Sequence, residues 1–182
     1  LPLKVQANRP PNVRIVSPTG GEISVGQTVS LELEATDDIG IRRLAYTVNS
    51  GKAGGLARGF DDPLVVTEGL PLTLPEGHPI GSRVTIQALA EDRLGSLARS
   101  APVTLGVVDR YPPRIRIQGV EDKTLVEPGA LLEVTLEARD AGGVALVSLA
   151  ADGLVTRQER QEIAPPGLQV RKQFSIQVPK EA

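Results

Sequence analysis

Cysteine, methionine and tryptophan are absent from the 182 residues, and aromatic side chains make up only 2%. Without cysteine there is no disulfide, no thiolate metal ligand and no thiol nucleophile. That absence does not fix the compartment, since exported domains can fold without disulfides. With so few aromatics, a core must be built from Val, Leu, Ile and Ala. Carbohydrate binding, which usually needs a flat aromatic platform, is not expected of this segment. Tyr46, Phe60, Tyr111 and Phe174 are the whole aromatic set, and Tyr46 and Phe174 alternate with core positions. The net charge is −2 with both signs mixed along the chain. Neither the basic stripe of a nucleic-acid binder nor a polybasic membrane patch is present. No apolar run approaches the roughly 20 residues that would cross a bilayer. The chain opens at Leu1 with neither an initiator methionine nor a signal-peptide pattern, which reads as an excised or processed piece.

What the sequence does have is turn formers and a repeat. Nineteen glycines and 15 prolines are scattered among alternating apolar stretches, the composition of many short strands joined by turns. Pro10-Pro11-Asn12-Val13-Arg14-Ile15 is matched by Pro112-Pro113-Arg114-Ile115-Arg116-Ile117. After Gly26 comes Thr28-Val29-Ser30-Leu31-Glu32-Leu33-Glu34-Ala35. After Gly129 comes Leu131-Leu132-Glu133-Val134-Thr135-Leu136-Glu137-Ala138. Both run into an acidic turn, Asp37-Asp38-Ile39-Gly40 or Asp140-Ala141-Gly142-Gly143. Ala35 and Ala138 lie 103 residues apart, a domain-sized period rather than a solenoid repeat.

Period-two alternation puts Val29, Leu31, Leu33 and Ala35 on one face and Ser30, Glu32 and Glu34 on the other, the pattern of an antiparallel strand half in a core and half in water. Leu132, Val134, Leu136 and Ala138 repeat it. The following strand carries Leu44, Tyr46 and Val48 inward, matched by Val147, Leu149 and Ala151. Val84, Ile86, Val103 and Leu105 complete the expected inward set of the first copy. Residues 88–101 have some helical propensity, but the alternation on either side reads as a strand end, a turn at Asp92-Arg93-Leu94-Gly95 and a new strand. About seven strands per 100 residues is the density of a β-sandwich. The expected fold is therefore all-β, with two tandem antiparallel sandwiches. The first covers 1–109 with its core over about 10–108, and the second covers 110–182. The second copy lacks counterparts of Ser82 through Val108. Its Val147 strand should then have a bare edge, and the row Leu132, Val134, Leu136 should be uncovered. Either the natural chain continues and supplies the missing strands, or another segment or chain supplies them by β-augmentation.

The run Pro10-Pro11-Asn12-Val13, Ser17-Pro18, Gly21, Val25-Gly26-Gln27-Thr28-Val29 and Ala35-Thr36-Asp37-Asp38-Ile39-Gly40-Ile41 resembles bacterial Ig-like repeats. Fibronectin III-like and cadherin-like domains share much of the pattern. The exit Val107-Val108-Asp109-Arg110-Tyr111-Pro112-Pro113 is similar to that family's link into a following repeat. Such repeats occur in strings in large exported and surface proteins. The resemblance implies an extracellular, cell-surface or periplasmic setting, with other domains of the same protein or another surface protein as partners.

Catalytic chemistry finds little to use. The single histidine, His78, stands in a Pro-Glu-Gly-His-Pro loop. No serine, threonine or lysine falls in a nucleophile-elbow or Ser-x-x-Lys context, so no enzyme is expected and no cofactor is required. Metal chemistry is more open. In Ig topology the loop with Asp37 and Asp38 and the loop with Glu91 and Asp92 share one end of the sandwich. Asp109 would approach Asp140 at the matching end of the second copy. Oxygen ligands on converging loops suit calcium, whereas the alternative is turn chemistry, each aspartate bonding its own backbone. No full calcium-loop spacing is present. Arg42-Arg43, Arg9, Arg14 and Arg116 read as exposed-face arginines. Two roles follow: a structural spacer that presents or assembles other domains, or a protein-recognition (adhesion) module acting through loops or a sheet edge.

Overall fold

Alternation sets which side chains face inward, and the strands follow it closely. In the computed structural model, which describes residues 7–49, 57–153 and 155–180, twelve strands and no helix are found among the described residues. The chain divides into two compact units, one of residues 1–75 and 79–108, the other of residues 76–78 and 109–182.

The first unit is a complete sandwich. One sheet is ordered β1-β3-β6, from β1 (Asn12–Ser17), β3 (Thr28–Thr36) and β6 (Val65–Thr73). The other is ordered β2-β9-β7-β4-β5, from β2 (Glu22–Ser24), β9 (Val103–Val108), β7 (Arg83–Asp92), β4 (Ile41–Val48) and β5 (Arg58–Gly59). The short β8 (Leu97–Arg99) continues along β7 beyond β9, after the turn read at Asp92–Gly95. Pairing is antiparallel except between β2 and β9, which run parallel. This departs from the antiparallel expectation because β2 crosses from the first sheet to lie beside the last strand.

Leu31, Leu33, Tyr46, Val84, Ile86 and Leu105 are buried as the alternation requires, while Val29 and Val103, near strand ends, are half-buried. Tyr46 adds a polar tie between the sheets. It sits on β4 with 1% of its surface exposed, and its hydroxyl donates to the Pro71 carbonyl on β6 at 2.5 Å. Burial raises its pKa, which keeps the phenol protonated as a donor.

The second unit is a three-stranded sheet ordered β10-β11-β12, from β10 (Arg114–Gln118), β11 (Leu131–Ala151) and β12 (Arg157–Gln177). The first half of β11 matches β3 and its second half matches β4. Asp140–Gly143, read from sequence as a turn, instead lies inside β11, at a register break between Arg139 and Val144. Beyond that break β11 resumes pairing with β12, so the two halves form one long ribbon. β12 carries Pro165-Pro166 within the jump from the Val144–Gly167 pair to the Leu146–Glu162 pair, where missing amide donors cost no ladder bonds.

Among the described residues the second unit has no strands matching β7 and β9, yet its apolar row is not left open as expected. Val134 and Leu136 are buried rather than uncovered. The two halves of β11 bring Leu136 and Ala138, and Val144 and Val147, into one apolar cluster with Val170 and Phe174 of β12. Phe174 is the cross-strand neighbour of Val134; it stands where the smaller Leu70 stands opposite Leu31 in the first copy. Ile115 and Ile117 of β10 are among the apolar side chains left open, 68% and 54% exposed.

Candidate functional site

The acidic loops at one end of the first sandwich come together through backbone contacts. The Arg93 amide, in the turn after β7, donates to the Gly40 carbonyl at 3.0 Å, so the 37–40 and 92–96 turns are neighbours. Asp37 Oδ1 accepts from the Ile39 and Gly40 amides at 2.9 and 3.0 Å. Asp38 is exposed. Asp92 is fully buried; its Oδ1 accepts from the Leu94 and Ser96 amides, each at 2.8 Å, and its Oδ2 from the Asn8 side-chain amide at 2.6 Å. Glu91 lies 4.0 Å from Arg43. One residue that sequence reasoning passed over, Asp62, completes this end. Asp62 faces Arg93 at 3.6 Å, and its carbonyl lies 2.3 Å from where a Cβ on Gly40 would stand. With φ at +117° as well, position 40 has room only for glycine.

The second copy repeats the device. Asp140 is buried, and its Oδ1 accepts from the Gly142 and Gly143 amides at 2.7 and 3.0 Å. Asp109 comes up against this turn. Its Oδ2 lies 2.2 Å from the position of a Cβ on Gly142, and its Oδ1 accepts from the Tyr111 amide at 3.1 Å. Asp37, Asp92, Asp109 and Asp140 thus each engage turn amides. Among the described residues no three acidic or histidine side chains form a group that could hold a metal ion. His78 is half-buried in its loop. Thermal melts in millimolar calcium and in chelator are expected to superimpose. A calcium-dependent rise in melting temperature that Asp37→Asn removes would instead show a cation at this end.

Asp92 carries a second expectation. Burial pushes its carboxyl upward, but the bonds from Asn8, Ser96 and Leu94 outweigh burial and hold its pKa below the ordinary carboxylate value. A folded-state pKa below the unfolded one stabilises the fold above the unfolded value, about 3.9, and this stabilisation is lost as pH falls through the folded value. Wild type should therefore exceed Asp92→Asn in stability at neutral pH, and the gap should close below about pH 4. Melts of both proteins between neutral pH and pH 3 check this; a gap independent of pH would show that the carboxylate charge is not what matters.

Of the arginines read as exposed, Arg14 and Arg43 form surface pairs, with Glu34 and Glu91. Arg14 meets Glu34 through two 2.9 Å hydrogen bonds across β1 and β3. That contact raises the arginine and lowers the glutamate pKa, at an open surface where ion pairs add little. On the outer face of β4, β7 and β8, a shallow hollow of about 170 Å³ is bordered by Arg43, Ala45, Glu91, Leu97 and Arg99. Leu97 there is 67% exposed.

The strand order of the first unit, three strands against a sheet ending in a parallel β2–β9 pair, defines an Ig-like sandwich. The family model described as bacterial Ig domain matches residues 11–67, from the end of the first Pro-Pro pair into β6, so the bacterial Ig-like character read from the sequence holds for this stretch. No curated protein matches the chain. Among solved structures, the fibronectin(III)-like modules of Clostridium thermocellum CbhA are 13% identical, with 92% of this chain and 94% of that chain covered, at a TM-score of 0.43. A mutant of the SrpA adhesin from Streptococcus sanguinis is 14% identical, with 72% and 89% covered, at 0.41. The D00-D0 domain of intimin is 14% identical, with 94% and 87% covered, at 0.34. Among the described residues no helix is long and apolar enough to cross a membrane.

Proposed function

We propose that this chain is a non-catalytic structural spacer, a pair of Ig-like repeats from a larger bacterial exported or cell-surface protein that presents or assembles other domains. The observation that carries the reading is the repeat as built. The second copy reproduces the β1–β3 register of the first, with Val13 opposite Ala35 and Ile115 opposite Ala138. It also reproduces the same aspartate-capped crossing, Asp37 onto Gly40 and Asp140 onto Gly143. What recurs is architecture, and Pro-Pro pairs at each start stiffen the entrances by fixing φ. The partners are then other domains of the same protein or another surface protein.

A recognition role has one observation in its favour, the hollow beside Leu97, where an exposed leucine sits among Arg43, Glu91 and Arg99. A replacement experiment in the full-length natural protein separates the two. Exchanging residues 7–180 for an unrelated pair of sandwiches of similar length should preserve surface display and activity of the remaining domains if this is a spacer. Loss of partner binding after that exchange, reproduced by Leu97→Asp alone, would support recognition and overturn the spacer reading.

A further inference from the structure

The second copy lengthens an edge that the first keeps short. In the first unit β5 pairs with β4 through Arg58 and Gly59 alone, and it ends its sheet, with no strand beyond it among the described residues. The place of β5 is taken in the second copy by the first half of β12, where residues 157–162 pair without a break with residues 146–151 of β11. The outer side of this half of β12 has no strand either among the described residues. That side is the sheet end in the complete first copy too, since β7 joins β4 on the opposite side. The edge therefore belongs to the fold and not to the strands that the second copy lacks. Its side chains sort by face. Gln158, Arg160 and Glu162 are exposed on one, while Glu159, Gln161 and Ile163 are half-buried on the other. Arg157 pairs with Glu159. Arg160 and Glu162, two apart on the exposed face, meet no partner side chain among the described residues.

We propose that this edge pairs with itself: two copies of the chain join antiparallel through residues 159–163 of β12, about a two-fold axis at Gln161. A two-fold axis normal to an antiparallel pair passes between a residue and its own copy. Side chains directly opposite each other lie on the same face. Few registers satisfy both conditions. Centring on Glu159, Arg160 or Glu162 sets like charges face to face, which is destabilising. Centring on Gln158 sets Arg157 against Glu159, and those charges are already paired within the strand. Centring on Gln161 brings two neutral amides together and sets Arg160 opposite Glu162 of the second copy twice over. Both unpartnered charges are then satisfied in each chain. The ladder closes before Pro165, which has no amide to donate.

So short a ladder buries far less than the roughly 1,600 Å² of a standard interface. The contact is therefore weak between free chains and gains strength where copies are held side by side. It adds lateral association between copies to the spacer reading and does not depend on it.

Because the chain has no cysteine, single cysteines in the 182-residue protein read the register directly. Residues facing each other across an antiparallel pair have Cα atoms about 4.5–5.5 Å apart, within disulfide reach. Under mild oxidant Gln161→Cys should form a disulfide-linked dimer at least tenfold faster than Glu159→Cys, whose copy would lie roughly 13 Å along the ladder. In the Gln161→Cys background, Arg160→Glu and Glu162→Arg should each slow crosslinking at least tenfold, and the two together should restore it. The single swaps move the net charge in opposite directions, so general repulsion between chains cannot produce both losses. Equal rates at positions 159 and 161 would mean random collision and overturn the proposal. Single swaps without effect, or a double swap that fails to restore the rate, would overturn it as well and leave the mixed charges as a guard against edge pairing.

Discussion

Leu33→Ala is expected to destabilise the first sandwich by about 2–5 kcal/mol. Leu33 is fully buried on β3, the middle strand of its sheet, with Ile15 of β1 and Glu68 of β6 directly opposite. Truncation removes the transfer free energy of three carbons and leaves a cavity that two flanking strands keep from collapsing. Its neighbour Glu32 is exposed, and Glu32→Ala should stay within about 0.5 kcal/mol of wild type. Denaturant titration of both variants is therefore a measurement of register. If Leu33→Ala were as mild as Glu32→Ala, β3 would have to be shifted by one residue, which turns every side chain to the opposite face.

That register was legible because alternation is a local property. Leu31, Leu33 and Ala35 announce a buried face without reference to any other strand, and all three are fully buried. The tandem organisation was legible for a related reason, since the two copies share short turn-based strings. The features that escaped depend on pairs far apart in sequence. Nothing near Tyr46 identifies Pro71 as the acceptor of its hydroxyl. Nothing near Asp92 points to Asn8, 84 positions earlier. The acidic ends were placed correctly side by side, but a sequence cannot say whether a carboxylate oxygen faces outward or bends back to its own amides. Asp37 and Asp92 bend back.

The second copy was misread for a physical reason as well. Asp140-Ala141-Gly142-Gly143 has turn composition, and its aspartate caps two amides as Asp37 does. Because β12 pairs on both sides of it, the same local motif becomes a fold in one continuous ribbon instead of a loop between strands. Local chemistry fixed the hydrogen bonds, and the partner strand decided what they belong to.

That ribbon makes Phe174→Ala the most damaging change expected in the second unit. Phe174 is 2% exposed and belongs to a cluster of six buried residues. Phe→Ala in a core costs about 3–5 kcal/mol, and domains of about 60 residues are marginally stable because they bury a small share of their surface. A loss of that size is comparable to the whole stability available to a three-stranded unit. The expected result is unfolding of residues 131–177 while the first sandwich, whose core contains none of these residues, persists. Amide exchange resolved by residue checks it directly. Residues 131–139 and 169–177 should lose protection in Phe174→Ala, whereas 28–36 and 83–92 should exchange as in wild type. Cooperative loss of protection in both sets would show that the two units fold as one and that the clusters are energetically coupled.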